Sequence, residues 1–302
     1  MTYSIVARDP QTGALGVAVE TCMFAVGSIV PWAQAGVGAV ATQAIAERAY
    51  GPRCLQAMSD GASASDALST ATDADPAAFL RQVGVISSVG DVGAMTGELC
   101  IDYAGHLLGD DFAVQANMMA STAVWPAMAE GYTAATGTFP RRLLAALLAA
   151  QAAGGDARGQ MSAAMLVVGA ERMPNPWDGQ LLSIRIDRST DPLADLAALI
   201  DAADAYDGFN RAVDTLMAGD PASALENANN ALDLLPNEEN IRFVRSGALA
   251  ALGDPTAAGE ELRLLITERP TWETIVRSFA TKGLMAVPPG ESIDSMLEDL
   301  LR

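Results

Sequence analysis

The chain has 302 residues, half of them hydrophobic and only 5% aromatic, the makeup of a globular protein with an aliphatic core and room for two domains; a disordered chain is excluded. Lys and Arg number 18 against 37 acidic residues, a net charge of -19 that repels phosphate backbones, so no nucleic acid is expected as a partner. Cys22, Cys54 and Cys100 form no Cys-x-x-Cys pair, His106 is the only histidine and Lys282 the only lysine, so no metal site, redox pair or cofactor is expected.

The chain opens Met1-Thr2-Tyr3. Thr2 is small, so Met1 is of the kind that cells remove. Removal leaves a threonine that carries a hydroxyl and a free α-amine, a nucleophile with its own base. Residues 3–8 read as a strand, Asp9-Pro10-Gln11-Thr12-Gly13 as a turn and residues 15–20 as the returning strand. Strand signals continue at 28–33, 37–43, 83–89, 93–96, 112–117, 162–168 and 181–187. Helix signals fall at 52–60, 64–71, 121–136 and 140–153. Antiparallel-looking runs with helices grouped after them imply an α+β fold, sheets covered by helices rather than a βαβ alternation. No glycine-rich phosphate loop or Gly-x-Ser-x-Gly elbow is present. Trp32, Trp125 and Trp177 are expected as packing anchors. No apolar run would cross a bilayer and no charged-then-apolar leader opens the chain, so the expectation is a cytoplasmic protein with no membrane partner.

Several polar residues sit in apolar surroundings. Thr42 and Gln43 end a very apolar strand, where a polar pair faces either a site or a hydrogen-bond partner, and the backbone after them is a candidate oxyanion donor. Gln115 and Asn117 share one strand face. Asn117 is a neutral donor suited to an oxyanion, or else a bridge between strand backbones. His106 reads as structural or as substrate-binding. Asp156, Arg158 and Ser162 lie between a helix and a strand. Arg158 reads as a loop clamp, with Asp156 and Ser162 as candidate neighbours of the Thr2 amine.

After Asp191-Pro192 the strand signals stop. Gly219-Asp220-Pro221 recurs 34 residues on as Gly253-Asp254-Pro255, and Pro236 recurs as Pro270. That is the period of the tetratricopeptide repeat, with the Gly-Asp-Pro steps between the two helices of a unit and the prolines ending the second helix. Residues 203–282 therefore read as about two such units and residues 292–301 as a capping helix. Short stacks of this kind are marginal alone, so the tail is expected to pack on the first domain or on a second subunit.

The blocks Thr2-Tyr3-Ser4-Ile5-Val6-Ala7-Arg8-Asp9-Pro10, Val26-Gly27-Ser28-Ile29-Val30-Pro31-Trp32-Ala33, Gly36-Val37-Gly38-Ala39-Val40-Ala41-Thr42-Gln43-Ala44 and Gly155-Asp156-Ala157-Arg158-Gly159-Gln160-Met161-Ser162-Ala163-Ala164 resemble, in this order, a bacterial family of unknown function numbered 1028. Shorter matches are Thr96-Gly97, Ala104-Gly105-His106 and Gln115-Ala116-Asn117-Met118. The resemblance spans residues 1–195 and leaves out the tail, taken as a second domain over 203–302. It implies the N-terminal-nucleophile hydrolase fold, a four-layer αββα sandwich with the nucleophile at the start of a central strand, and cleavage of amide bonds. The second strand of such folds delivers a polar residue toward the nucleophile, here Glu20 or Thr21. Glu20 then either steadies the protonated amine or closes a strand end. Proteasome-like members place a lysine near the nucleophile; here the only lysine lies in the tail.

The expected catalytic set is Thr2, Glu20, Thr42, Asn117, Asp156 and Ser162, with Thr21, Gln43, His106 and Gln115 lining the substrate. The expected substrate is a small amide or peptide-like compound. The alternative is a non-catalytic protein of the same fold that acts in assembly, with a protein or peptide partner at its repeats. A homo-oligomer is expected in either case.

Overall fold

The computed structural model describes residues 2–285, 290 and 292–300. The chain divides into two compact units, Met1–Ile200 and Asp201–Arg302. The first begins with a hairpin of β1 (Thr2–Arg8) and β2 (Leu15–Thr21). Its turn is closed by Asp9 N–H to Ala14 O at 2.8 Å and by Thr12 Oγ1 to Asp9 Oδ2 at 2.7 Å, and Gly13 supplies the positive φ of 73° that the reversal needs. Next come β3 (Pro31–Gln34), β4 (Gly38–Ala44), α1 (Tyr50–Ser59), α2 (Ala64–Asp73), β5 (Arg81–Ser87) and β6 (Val92–Thr96). β7 (Gly105–Gly109), β8 (Phe112–Asn117), α3 (Val124–Ala134), α4 (Phe139–Ala152), β9 (Ser162–Val168) and β10 (Gln180–Ile186) complete the sheets.

Six strands form one sheet in the order β10-β9-β2-β1-β8-β7, and four form a second in the order β3-β4-β5-β6, every pairing antiparallel. Strand alternation sorts the side chains by face. Val6, Val17, Val19, Ala39, Ala41, Ile86 and Ala113 meet in one apolar cluster to which both sheets contribute. Tyr3, Ile5, Ala18, Val114 and Ala116 point the other way, into a cluster with Met128 of α3 and Leu143 and Leu147 of α4. Val40, Val83 and Val85 pack on Tyr50, Cys54 and Leu68 from α1 and α2. Burial of each such large apolar side chain contributes about 1.5–3 kcal/mol.

α5 (Pro192–Met217) opens with Leu193, Leu196 and Ile200 in the Tyr3 cluster. In the second unit follow α6 (Pro221–Leu234), α7 (Glu239–Ala251), α8 (Pro255–Glu268), α9 (Trp272–Thr281) and α10 (Ile293–Leu300). Asp220 and Asp254 cap α6 and α8, their carboxylates accepting from Ser223 N at 3.1 Å and Ala257 N at 3.0 Å. Pro221 and Pro255 open those helices, and Pro236 and Pro270 lie just past their ends. Arg242 bridges Glu261 and Glu268, each at 2.6 Å. No helix among the described residues is long and apolar enough to cross a membrane.

The strand expected over 28–33 is shorter and later. Residues Val26–Ser28 form a 3-10 turn, and β3 starts at Pro31. β5 starts two residues earlier than expected, which brings Gln82 into the sheet. β7 is an additional strand, and Trp177 stands 68% exposed in the turn Pro176–Gly179 instead of anchoring the core.

Candidate functional site

Thr2 begins β1, which lies between β2 and β8 in the larger sheet. Its register partner on β8 is Asn117. With Ser4 and Val6, it shares the face directed at the second sheet. Thr2 is only 5% exposed, and its hydroxyl donates to Thr21 Oγ1 at 3.3 Å. The state of Met1 lies outside the described residues.

Around Thr2 is a buried network of carboxamides. The Thr2 carbonyl accepts from Gln43 Nε2 at 3.0 Å and Asn117 Nδ2 at 3.4 Å. Both amides also donate to Gln82 Oε1, each at 2.8 Å. Gln82 Nε2 donates to Thr96 Oγ1 at 2.9 Å, Ala116 O at 2.9 Å and Gly105 O at 3.1 Å. Gln115 Nε2 donates to Ser4 Oγ and Ser4 Oγ to Gln43 Oε1, both at 2.6 Å. Gln43, Gln82, Gln115 and Asn117 are at most 1% exposed. A buried amide without partners costs a few kcal/mol, so such a group is retained only where it is bonded. Gln115 Oε1 is the exception, with no partner. Gly84 makes room for that side chain, because a Cβ at this position would overlap the Gln115 carboxamide.

The structure brings Thr2, Thr21, Gln43, Gln115 and Asn117 together between the sheets and places the other expected residues elsewhere. Thr42 points to the opposite face of β4 from Gln43 and donates to Glu47 O at 3.1 Å. Ser162 spends its hydroxyl on the loop after β2, donating to Met23 O at 2.5 Å and accepting from Val26 N at 3.1 Å. His106 stands at the surface on β7, with Nδ1 2.9 Å from Thr96 Oγ1. Partial desolvation holds its ring below the ordinary histidine pKa. Both Asn117 Nδ2 hydrogens have acceptors, which suits it to holding the Thr2 backbone.

Glu20 lies on the other face of the sheet, directly across from Tyr3. It is fully buried, and neither carboxylate oxygen has a hydrogen-bond partner. Burial, with the nearby Asp156 charge adding to it, pushes its pKa up to about 8. Tyr3 donates to Gln151 Oε1 at 3.0 Å. Asp156 is held by Arg158 at 2.7 Å and by the Cys22 N–H at 3.2 Å, so the loop-clamp role falls to the pair. These two acids therefore form a second polar group, behind the sheet from the Thr2 side chain.

Sequence reasoning missed Gln82, Ser4 and Thr96. The available signal for Gln82 was Gln82-Val83-Gly84-Val85-Ile86, a polar residue that begins the alternation of a buried strand. Among the described residues no group of three or more His, Cys, Asp or Glu is placed to hold a metal. Backbone strain concentrates at this end of the sheets. Ala44 after Gln43, Met118 after Asn117 and Ala25 beyond Thr21 have φ of 68°, 57° and 56°, each costing about 1–2 kcal/mol. The loops at the same strand ends leave Met23, Phe24, Ile45, Leu99 and Ile101 more than half exposed.

The profile of a family described as "Family of unknown function (DUF1028)" matches residues 2–196. The crystal structure of protein SPO2555 from Silicibacter pomeroyi, assigned to the same family, is similar at 35% identity with a TM-score of 0.61. The match covers 67% of this chain and 85% of that one. No curated protein matches the chain.

Proposed function

The chain belongs to the family of unknown function DUF1028, and from that footing we propose that it is an N-terminal-nucleophile amidohydrolase acting through Thr2. The two sheets with their covering helices are then the αββα sandwich of that class. The observation that carries the reading is the placement of Thr2: first residue of a central strand, side chain between the sheets, carbonyl clamped by Gln43 and Asn117.

Once Met1 is removed, the neutral α-amine of Thr2 accepts the proton of its own hydroxyl as Oγ1 attacks an amide carbonyl. The tetrahedral intermediate collapses with protonation of the leaving amine by that same ammonium, which leaves an acyl ester on Oγ1. Water, deprotonated by the regenerated amine, then releases the acid. Thr21 accepts from the Thr2 hydroxyl and orients it. The exposed apolar side chains at this end favour a substrate with an apolar part. The test is hydrolysis of a panel of small acyl amides. Thr2→Ala is expected to lose activity by on the order of a thousandfold or more, with fold retained by circular dichroism. Full activity in that variant rules the mechanism out.

A second reading has its own support. α5 to α8 repeat at 34 residues with matching caps, as tetratricopeptide-type units do, and such units usually present a binding groove. On this reading the chain is a non-catalytic assembly protein whose repeats, over about 203–302, take a peptide or join copies of the chain. A Thr2→Ala variant that leaves every cellular phenotype unchanged favours it.

A further inference from the structure

We propose that Gln82 is the positioning residue of the site, fixing the orientation of the two carboxamides that hold Thr2. The proposal rests on the reading of Thr2 as the nucleophile, but its core is a matter of hydrogen-bond polarity. Gly105 O and Ala116 O can only accept, and both lie within hydrogen-bond reach of one end of the Gln82 carboxamide, at 3.1 and 2.9 Å. That end must be the NH2. Turning Gln82 over would set its oxygen against two carbonyls and its NH2 against the NH2 groups of Gln43 and Asn117.

The opposite end is therefore Oε1, and it faces Gln43 Nε2 and Asn117 Nδ2, each at 2.8 Å. With an acceptor fixed there, both neighbours must turn their N–H groups inward. The same two NH2 groups then reach the Thr2 carbonyl, which can also only accept. Two backbone carbonyls on the β7–β8 hairpin thus orient Gln82, and its Oε1 reinforces on Gln43 and Asn117 the same orientation that the Thr2 carbonyl requires. Gln82 sits on β5 of the smaller sheet, while Thr2, Asn117 and both carbonyls belong to the larger one. It therefore ties the nucleophile's strand across the interior to the opposite sheet. Gln43, its register partner on β4, has the same span, its Nε2 also donating to Gln115 O at 3.3 Å and its Oε1 accepting from the Ser4 hydroxyl.

Two substitutions separate orientation from bulk. Gln82→Met keeps the volume and removes both polar ends. Gln82→Glu keeps the shape. Protonated it still donates one hydrogen toward Gly105 O and Ala116 O; ionised it turns only acceptors on them. Full-length 15N-labelled protein reports side-chain amide exchange at Gln43 and Asn117, and a β-lactone probe reports acylation of Thr2 by peptide mass. Melting curves select temperatures at which each variant is folded.

Loss of exchange protection by about tenfold in Gln82→Met is expected, the equivalent of one hydrogen bond to a buried group. In Gln82→Glu the loss is expected to grow as pH rises, with Thr2 acylation relative to wild type falling in parallel. Protection lost in the variants while wild-type Thr2 is never acylated supports the positioning by Gln82 and sinks the nucleophile reading. Unchanged protection in both folded variants overturns the proposal, and so does lost protection with Thr2 acylation at the wild-type rate.

Discussion

Glu20 has the residue-scale environment with the most measurable consequence. In the folded protein its carboxyl titrates near 8, against an ordinary value of 4.5, because burial disfavours its charge. Below the ordinary value both states are protonated and nothing is lost. Between the two values the folded protein keeps a proton that the unfolded chain has released. Stability therefore falls as pH rises, by up to about 1.4 kcal/mol per unit, until Glu20 ionises. Glu20→Gln removes that slope, so its melting temperature is expected to gain on wild type steadily from about pH 5 to about pH 8. Parallel melting profiles for the two proteins across that range contradict the assignment. The polar residues between the sheets were legible in sequence where they interrupt an apolar strand, as Gln43, Gln115 and Asn117 do. Glu20 and Thr42 stand on the opposite faces of their strands from Thr21 and Gln43, a placement that strand parity decides. One residue's difference in register puts a side chain on the opposite face.

At the scale of elements, the chain's punctuation carried most of the information. The Asp9-Pro10 turn, the alternation of β1, β2, β8 and β9, and the Gly-Asp-Pro steps all mark where the structure has its boundaries. β7 was not legible. Gly105-His106-Leu107-Leu108-Gly109 is short and bounded by glycines, and it is a strand because it pairs with β8 along its whole length. The start of β5 was missed because Arg81-Gln82 looks like a loop until Ala44 and Gln43 are seen opposite them. The repeat boundaries yield a direct test. Asp254→Ala removes the acceptor for Ala257 N–H at the start of α8 and is expected to cost about 1 kcal/mol, read as a lower urea midpoint at constant m-value. No change in midpoint means the cap is not holding the helix.

For the whole molecule, the family profile ends at residue 196, close to where the first compact unit ends at Ile200. The tail lies outside the residues that the family profile matches, and the second proposed reading has it join copies of the chain. Deleting residues 203–302 is expected to lower the oligomer size measured by sedimentation equilibrium. An oligomer of unchanged size in the shortened protein excludes that role. The acidic balance bears on solubility rather than fold, and sequence could not reveal how the two sheets share one carboxamide network, since those contacts join residues as far apart as Gln43 and Gln115.

Thr2 is proposed as a free N-terminal nucleophile. Intact mass and N-terminal sequencing of the active protein, before and after a β-lactone probe, test it most directly. Thr2 is expected as the first residue, carrying a single acyl adduct that Thr2→Ala does not form. Protein that hydrolyses amides while retaining Met1 contradicts it.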